Sequence, residues 1–157
     1  MNYKVITDLG NPLRGKTYEE VLATVQWNGF VLEFVEQQTD ELCLAAVKEC
    51  GQALQYVEQK TPELCLVAVQ HDGYALKFIE EQTHELCMAA VMQNSWALGY
   101  VKEQTQELCL AAVRQMGMVL HLVKQQTPEI CLAAVKQNRE AIEFVWEEFY
   151  EEVKASL

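Results

Sequence analysis

Apolar and polar residues recur along the chain in one 22-residue pattern, T-x-E-L-C-L-A-A-V-x-Q-N-G-x-A-L-x-Y-V-x-x-Q. Six copies follow one another without insertion, and they begin at Thr17, Thr39, Thr61, Thr83, Thr105 and Thr127. We number the positions of a repeat as columns 1 to 22, with the threonine as column 1. Self-similarity at a fixed interval is the signature of a repeat architecture, so we expect a stacked array of units.

Each unit has the periodicity of two helices. Columns 5, 8 and 9 share one face of a first helix at i, i+3, i+4 spacing, and columns 15, 16, 18 and 19 do the same in a second helix. Examples are Cys43, Ala46 and Val47 in the first helix, and Ala75, Leu76, Phe78 and Ile79 in the second. Helices of about ten residues are too short to be stable alone. Stacking between repeats must therefore supply the stability.

Start and stop signals support this division. The column 1 threonine can cap the first helix, Pro62 and Pro128 fall at the first helical position, and Thr17 with Glu20 has the pattern of a capping box. A glycine between the helices, often preceded by Asn or Asp, predicts a left-handed residue there. These glycines are Gly29, Gly51, Gly73 and Gly117, while Ser95 and Arg139 replace them in two repeats. We expect these two turns to differ slightly.

The pattern predicts an all-α fold, a right-handed-type α-solenoid of six two-helix repeats of 22 residues with terminal caps. We interpret residues 1–157 as a single helical-repeat domain. Residues 1–16 match no repeat and are predicted to be an N-terminal cap, residues 17–138 form the repeats, and residues 139–157 form an extended C-terminal capping helix.

Composition narrows the functional classes. The formal net charge of −11 repels phosphates and disfavours direct nucleic-acid binding. There is no apolar run of about 18 residues, and residues 1–17 lack the unbroken apolar stretch of a signal peptide. We therefore expect a soluble, cytoplasmic protein with no membrane partner, and most simply a monomer. Self-association of the repeats is an alternative.

Cysteine fills column 5 of five repeats, at Cys43, Cys65, Cys87, Cys109 and Cys131. Packed helices lie roughly 8–10 Å apart, whereas a disulfide needs Cα atoms within about 7 Å and zinc needs converging ligands. The column is therefore predicted to hold small buried apolar groups in a reducing compartment, with no metal and no cofactor. Cys50 falls in a turn column and is predicted to be an exposed thiol.

No catalytic residue can be assigned. His71, His84 and His121 fall in columns 11, 2 and 17, and the glutamates of column 3 recur once per repeat, so neither set converges on one site. Phosphate-binding loops, nucleophile elbows and HExxH motifs are missing from the sequence. We therefore expect a protein without enzymatic activity.

Function is expected in the columns that vary. Column 14 follows each turn, column 10 adds Met92, Arg114 and Lys136, and column 17 adds Lys77, Gly99 and His121. Aromatic residues, Met and Arg are enriched at interaction hot spots. The predicted protein-binding residues are Phe30, Tyr74, Met92, Trp96, Arg114 and Met118. The alternative is that column 14 merely fills the groove between adjacent second helices.

The repeat T-x-E-L-C-L-A-A-V-K-Q-N-G-x-A-L-x-Y-V resembles a family of helical repeats of about 22 residues that is catalogued as a domain of unknown function. The resemblance covers residues 17–148 and implies an occurrence in intracellular bacteria, protists and large viruses, often in candidate effectors. A weaker likeness exists to the leucine-rich repeat variant. The family implies no agreed activity.

Two functional hypotheses follow. The first is a protein-binding module, an effector, adaptor or inhibitor that occupies a surface of another protein. The second is an acidic decoy, in which the glutamate ladder imitates phosphates and inhibits a nucleic-acid-binding protein such as a defence nuclease targeted by a phage. Binding by a decoy should weaken steeply with salt, and binding through hot spots much less.

Overall fold

A computed structural model describes residues 11–157 as an all-helical array, which confirms the predicted α-solenoid. In this range, α-helices alternate with short 3₁₀-helices, labelled η. They are α1 (Tyr18–Trp27), η1 (Gly29–Phe34), α2 (Asp40–Glu49), η2 (Gly51–Tyr56), α3 (Pro62–His71), η3 (Gly73–Phe78), α4 (His84–Gln93), η4 (Ser95–Tyr100), α5 (Gln106–Gln115), η5 (Gly117–Leu122), α6 (Pro128–Gln137), η6 (Arg139–Phe144) and α7 (Glu147–Ala155).

The array has two faces and two edges. Each α-helix packs against the α-helices of neighbouring repeats, and each 3₁₀-helix packs against the neighbouring 3₁₀-helices, with a continuous apolar core between the two rows. We call columns 10–13, where an α-helix passes into its 3₁₀-helix, the turn edge. Columns 20–22 and 1–3, where the chain enters the next repeat, form the loop edge.

The second helix of each repeat is a 3₁₀-helix of six residues, and the prediction of two α-helices per repeat was wrong in this respect. Hydrogen bonds close it at three-residue spacing, as from Val57 N–H to the carbonyl oxygen of Leu54. With three residues per turn, columns 13, 16 and 19 lie in one line, and Gly51, Leu54 and Val57 are all buried. Column 15 is also buried where Ala53 lies, whereas column 18 is only half-buried at Tyr56.

The first helix follows the prediction closely. Columns 5, 8 and 9 are buried, and so is column 4, which the periodicity argument omitted: Leu42 is completely covered. Thr39 Oγ1 accepts a hydrogen bond from Leu42 N–H, and the threonines of the other repeats cap their helices in the same way. Thr17 and Glu20 form the predicted capping box. The N–H of Thr17 donates to the Glu20 carboxylate and lowers the pKa of that group.

The turn glycines serve close approach and not left-handed backbone, so the prediction about their conformation was wrong. Among residues 11–157 only Gly15 has a positive φ. A Cβ on Gly73 would lie 2.5 Å from the carbonyl oxygen of Ala90 in the next repeat, well inside contact distance. The preceding Asp72 is extended, and its carboxylate accepts a hydrogen bond from Tyr74 N–H to cap the 3₁₀-helix.

The two replacements of glycine have separate explanations. Ser95 is buried, and its hydroxyl donates to Gln115 Oε1 of the next repeat at 2.6 Å. Arg139 is exposed because it belongs to the sixth repeat, and no seventh repeat brings a carbonyl oxygen against it. The backbone of these two turns nevertheless matches that of the turns with glycine, because Asn94 and Asn138 are extended in the same way as Asp72, so the expectation of different turns was wrong for the backbone.

The ends of the array close it in different ways. Residues 1–10 of the predicted N-terminal cap lie outside the described residues; Leu13 is buried, and Asn11 Nδ2 donates to the carbonyl oxygen of Phe34. At the other end the predicted single helix over residues 139–157 is two helices, η6 and α7, separated at Val145 and Trp146. The separation follows from the repeat, because η6 ends where every 3₁₀-helix ends. No helix of residues 11–157 has the length and apolarity needed to cross a membrane.

Candidate protein-binding surface

The six residues predicted to bind protein lie in two rows, one before and one after the turn that joins each α-helix to its 3₁₀-helix. Phe30, Tyr74, Trp96 and Met118 follow the turn, on 3₁₀-helices, whereas Met92 and Arg114 precede it, in the last turn of α4 and α5. These six residues therefore do not form one continuous stripe along the array. Met92 and Arg114 lie on the α face, and the other four lie on the 3₁₀ face.

Exposure differs within the two rows. Met92 retains 58% of its accessible surface, Phe30 41% and Trp96 39%, while Tyr74 and Met118 are half-buried. Ring contacts explain the partial burial. Phe30 lies edge-on to Tyr56 at 6.2 Å between centroids, and Tyr74 lies edge-on to Tyr100 at 5.8 Å. Column 14 therefore fills the space between adjacent 3₁₀-helices, as the second alternative expected, and it still presents apolar surface. Its role in binding stays a prediction.

A concavity on the 3₁₀ face lies between repeats 4 and 6. His121 stands between Trp96 and Phe144, with ring centroids 5.4 and 5.2 Å away. Its Nδ1 lies 2.7 Å from the carbonyl oxygen of Met118, which fixes the orientation of the ring. The groove beside these rings has a volume of about 700 Å³, and its apolar and cationic lining consists of Trp96, Met116, Met118, His121, Arg139 and Phe144. We call it the aromatic groove.

Three of these lining residues were missed in the sequence. Met116 replaces the Asn or Asp of column 12, Arg139 replaces the glycine of column 13, and Phe144 occupies a column that was assigned to the core. In the sequence, Met116 and Arg139 could have been recognised as candidate surface residues because they differ from the consensus of their columns. The half-exposure of column 18 depends on the 3₁₀ geometry and could not be obtained from the pattern alone.

A second groove lies on the α face of the same repeats. Its floor is formed by Leu132 and Ala133 of α6, its rim carries Arg114, Glu129 and Lys136, and its volume is about 490 Å³. Gln137 lines this groove and the aromatic groove alike, so the two adjoin at the turn edge. We call this second one the basic groove.

Charge is distributed unequally between the two edges. Most carboxylates lie at the loop edge: Glu36, Asp40, Glu41, Glu58, Glu63, Glu80, Glu81, Glu85, Glu103, Glu107, Glu129, Glu147 and Glu148. The turn edge of repeats 4–6, by contrast, contains no acidic residue and carries Arg114, Lys136 and Arg139. A chain with a net charge of −11 thus has one locally basic region.

Glutamine side chains at the turn edge have a structural role. Gln93 Oε1 accepts from Gly73 N–H, and Gln93 Nε2 donates to the carbonyl oxygen of His71. Gln137 repeats the arrangement two units further, between Gly117 N–H and the carbonyl oxygen of Gln115. These contacts tie successive turns together, which makes the edge rigid.

The cysteine column belongs to a second ladder, at the loop edge. In four repeats the thiol donates to the side-chain oxygen of a glutamine five residues earlier, as Cys131 does to Gln126 at 3.2 Å. Burial raises the pKa of all five column thiols, to about 11 for Cys43 and Cys131. The thiols are free and protonated at neutral pH. Cys50 is half-buried, less open than predicted.

The histidines occupy three different environments. His71 Nδ1 accepts from Gly51 N–H, His84 lies 3.4 Å from Glu107 at the loop edge, and His121 belongs to the aromatic groove. Among residues 11–157, no group of three or more His, Cys, Asp or Glu side chains is placed to hold a metal ion.

Comparison with known proteins finds a family model that matches the central repeats. Residues 39–83 and 61–106 each match the family described as Domain of unknown function (DUF4116), which confirms the resemblance found in the repeat pattern. The two matches are 22 residues out of phase and overlap. No curated protein and no solved structure matches the chain.

Proposed function

We propose that this array of repeats, whose family has no assigned activity, is a non-enzymatic module that binds another protein through the turn edge of repeats 4–6. The observation that carries the proposal is the aromatic groove. Large apolar side chains border a concavity on a rigid scaffold, and Trp96 keeps 39% of its surface exposed beside it. Aromatic, Met and Arg side chains around a pocket are the composition of interaction hot spots.

The scaffold supports a binding role. Buried apolar columns and two hydrogen-bonded ladders fix the position of every repeat, so a partner would meet a preformed surface and would lose little affinity to ordering. The three histidines are not gathered at the aromatic groove. His121, which lines it, is held between the rings of Trp96 and Phe144. Adaptor, inhibitor and effector are the roles that suit a binding surface of this kind.

The test compares three immobilised proteins: the wild-type chain, Trp96→Ala/Met118→Ala, and Trp27→Ala as the matched control. Trp27 is 80% exposed in α1, far from the groove, so its loss removes apolar surface without touching the proposed site. Extracts from the source cells or from a host are passed over each, and retained proteins are identified by mass spectrometry.

A partner should be retained by the wild-type chain and the Trp27→Ala control, and lost with Trp96→Ala/Met118→Ala. In purified form its Kd should rise at least about 30-fold for the double variant, which corresponds to about 2 kcal/mol. Circular dichroism must show unchanged helix content. A partner that binds the double variant as tightly as the wild type would contradict the proposal.

The acidic loop edge favours a second candidate, a decoy for a nucleic-acid-binding protein. Among residues 11–157, no carboxylate forms an ion pair with Lys or Arg, and the ion pair present is that of His84 with Glu107. The negative field of the loop edge is therefore directed toward solvent. For this candidate, partner binding should survive Trp96→Ala/Met118→Ala and weaken at least about tenfold between 50 and 200 mM salt, in line with the steep salt dependence of phosphate mimicry.

We extend the proposal to the compartment, which the free thiols support. Five buried cysteines and one half-buried cysteine, all free, suit a reducing environment such as the cytoplasm of the own cell or of a host. We include this localisation in the proposal.

A further inference from the structure

We propose that the occupant of the turn edge of repeats 4–6 is an acidic peptide segment, in which a large apolar side chain is flanked by carboxylates. This inference rests on the proposed protein-binding function and adds the chemistry of the partner. The apolar side chain enters the aromatic groove, and the carboxylates meet Arg114, Lys136 and Arg139.

The three cations are available to a partner. Arg114, Lys136 and Arg139 are exposed, and none of their side chains forms an ion pair or a hydrogen bond with another residue of the described range 11–157. Two lysines at the loop edge, by contrast, are used internally: Lys102 and Lys124 donate to backbone carbonyl oxygens. The basic region is thus a group of uncommitted charges in an acidic protein.

The local surroundings preserve this positive character. Columns 10–13 of repeats 4, 5 and 6 contain no Asp or Glu, whereas the same columns of repeats 2 and 3 contain Glu49 and Asp72. The neighbouring carboxylates are Glu129 on the rim of the basic groove, and Glu140 and Glu143 on η6. Neither Glu140 nor Glu143 lines the aromatic groove. A carboxylate of a partner that enters the two grooves would therefore lie closer to Arg114, Lys136 or Arg139 than to Glu140 or Glu143.

The two grooves accept an extended segment. They adjoin at Gln137, one with a volume of about 700 Å³ and the other of about 490 Å³, within the range of about 300–1,000 Å³ that is typical of ligand sites. A chain crossing Gln137 could place its apolar side chain against Trp96, His121 and Phe144 while its flanks remain beside the cations. Methionine at positions 116 and 118 lets the groove adapt to the shape of the entering side chain.

The balance of charge favours an acidic peptide over a nucleic acid. Arginine side chains pair with carboxylates through two parallel hydrogen bonds, so Arg114 and Arg139 could each fix one acidic residue. A nucleic acid carries a charge on every nucleotide and would be repelled by the net charge of −11, with only three cations to offset it. A short segment with a few carboxylates matches the number of cations available.

The test begins with a random peptide library displayed on phage and selected on the folded wild-type chain, after depletion on Trp96→Ala/Met118→Ala. Groove-dependent peptides should be enriched in Asp and Glu on both sides of an aromatic or aliphatic residue. Selected peptides are then synthesised with a fluorescent label, and their affinities are measured by anisotropy.

Two triple variants separate the site from general charge effects. Arg114→Glu/Lys136→Glu/Arg139→Glu should raise the Kd of the selected peptides at least about tenfold. The control, Lys48→Glu/Lys60→Glu/Lys154→Glu, makes the same change in net charge away from the grooves and should keep the Kd within about twofold of wild type. Circular dichroism confirms that both variants fold.

Each other outcome is distinguishable. Groove-dependent peptides that are neutral or basic, or that bind both triple variants equally, would overturn the acidic partner and leave the proposed function standing. A selection that yields no groove-dependent peptide would count against both. A single-stranded thymidine oligonucleotide that binds more tightly than the peptides, or a wild-type dimer in sedimentation that the first triple variant abolishes, would assign the surface to another occupant.

Discussion

The Sγ of Cys131 donates a hydrogen bond to Oε1 of Gln126 at 3.2 Å, in a buried position between the fifth and sixth repeats. The same oxygen accepts from Trp146 N–H, and Gln126 Nε2 donates to the carbonyl oxygen of Phe144. The side-chain amide of Gln126 therefore provides hydrogen-bond partners for two backbone groups at the end of a 3₁₀-helix and for a buried thiol. Gln38, Gln82 and Gln104 make the same set of contacts in their repeats.

Gln126→Ala should lower the free energy of unfolding by about 2 kcal/mol or more, because it leaves the carbonyl of Phe144, the N–H of Trp146 and a thiol without partners in a buried position. Urea unfolding followed by circular dichroism measures the change. Lys60→Ala is the matched control, because Lys60 fills the same column in an exposed position. It should change stability by less than about 0.5 kcal/mol, and an equal loss in both variants would refute the role of the amide.

Lys60→Gln should stabilise the chain by about 1 kcal/mol, because the second repeat lacks the amide that bridges the others. The new glutamine would reach the carbonyl oxygen of Phe78 and the N–H of Glu80, by analogy with Gln82 one repeat later. Thermal unfolding provides the measurement. A lower midpoint than wild type would show that the second repeat has a different geometry at this edge.

Gly73→Ala should destabilise the chain by about 1–3 kcal/mol, because its Cβ would lie 2.5 Å from the carbonyl oxygen of Ala90 and would force the repeats apart. Gly99→Ala is the control within the next 3₁₀-helix. Its Cβ would meet Leu122 at an ordinary 3.6 Å, so its effect should be small or slightly stabilising. Urea midpoints of the two variants settle the comparison; similar values would count against close packing as the reason for the glycine.

Thiol labelling should distinguish Cys50 from the other cysteines. Cys50 is half-buried at the turn edge, whereas the five column thiols are buried and burial raises their pKa values. Ellman's reagent at neutral pH should therefore modify one thiol per folded chain quickly and the rest only on unfolding. Cys50→Ser should abolish the fast phase. Rapid modification of more than one thiol would mean that the core opens far more readily than its packing implies.

Stability should fall at alkaline pH. The unfolded thiols ionise near their ordinary pKa of about 8.5, whereas burial keeps the folded thiols protonated, up to about 11 for Cys43 and Cys131. Between these values the unfolded chain binds fewer protons than the folded chain, so the free energy of unfolding decreases as pH rises. Below pH 8 the thiols contribute no pH dependence. Urea midpoints from pH 7.5 to 10 test this, and Cys43→Ala/Cys131→Ala should show a shallower decline.

The helices that carry strong local signals could be predicted from the sequence, and the 3₁₀-helices could not. Thr39 defines the start of α2 in sequence alone, and Cys43, Ala46 and Val47 define most of its buried face. In η2, however, apolar residues at Ala53, Leu54, Tyr56 and Val57 suit a period of 3.6 as well as one of 3.0. Six residues are too few to separate the two periods. The change from 3.6 to 3.0 residues per turn alters which side chains face solvent, and it leaves Phe144 beside the aromatic groove.

Contacts between repeats were the other limit. The sequence shows Gly73 and Ala90 in their columns, but the distance between them depends on how closely successive units stack. The same applies to Gln126, a polar residue whose burial cannot be inferred from the repeat pattern. The six predicted binding residues were located correctly relative to each turn, yet their division between two faces, with Met92 and Arg114 on α-helices, follows only from the assembled array.

Arg139 bears on how such an array can lengthen. Interior repeats place Gly or Ser at column 13 because a neighbouring carbonyl oxygen lies against that position. A duplicated unit inserted after η6 would bring a carbonyl oxygen against the Cβ position of Arg139, where the interior repeats have only Gly or Ser. Growth at that end therefore favours the loss of Arg139, and with it one cation of the turn edge. A single codon thus links the number of repeats to the charge of the surface that they present.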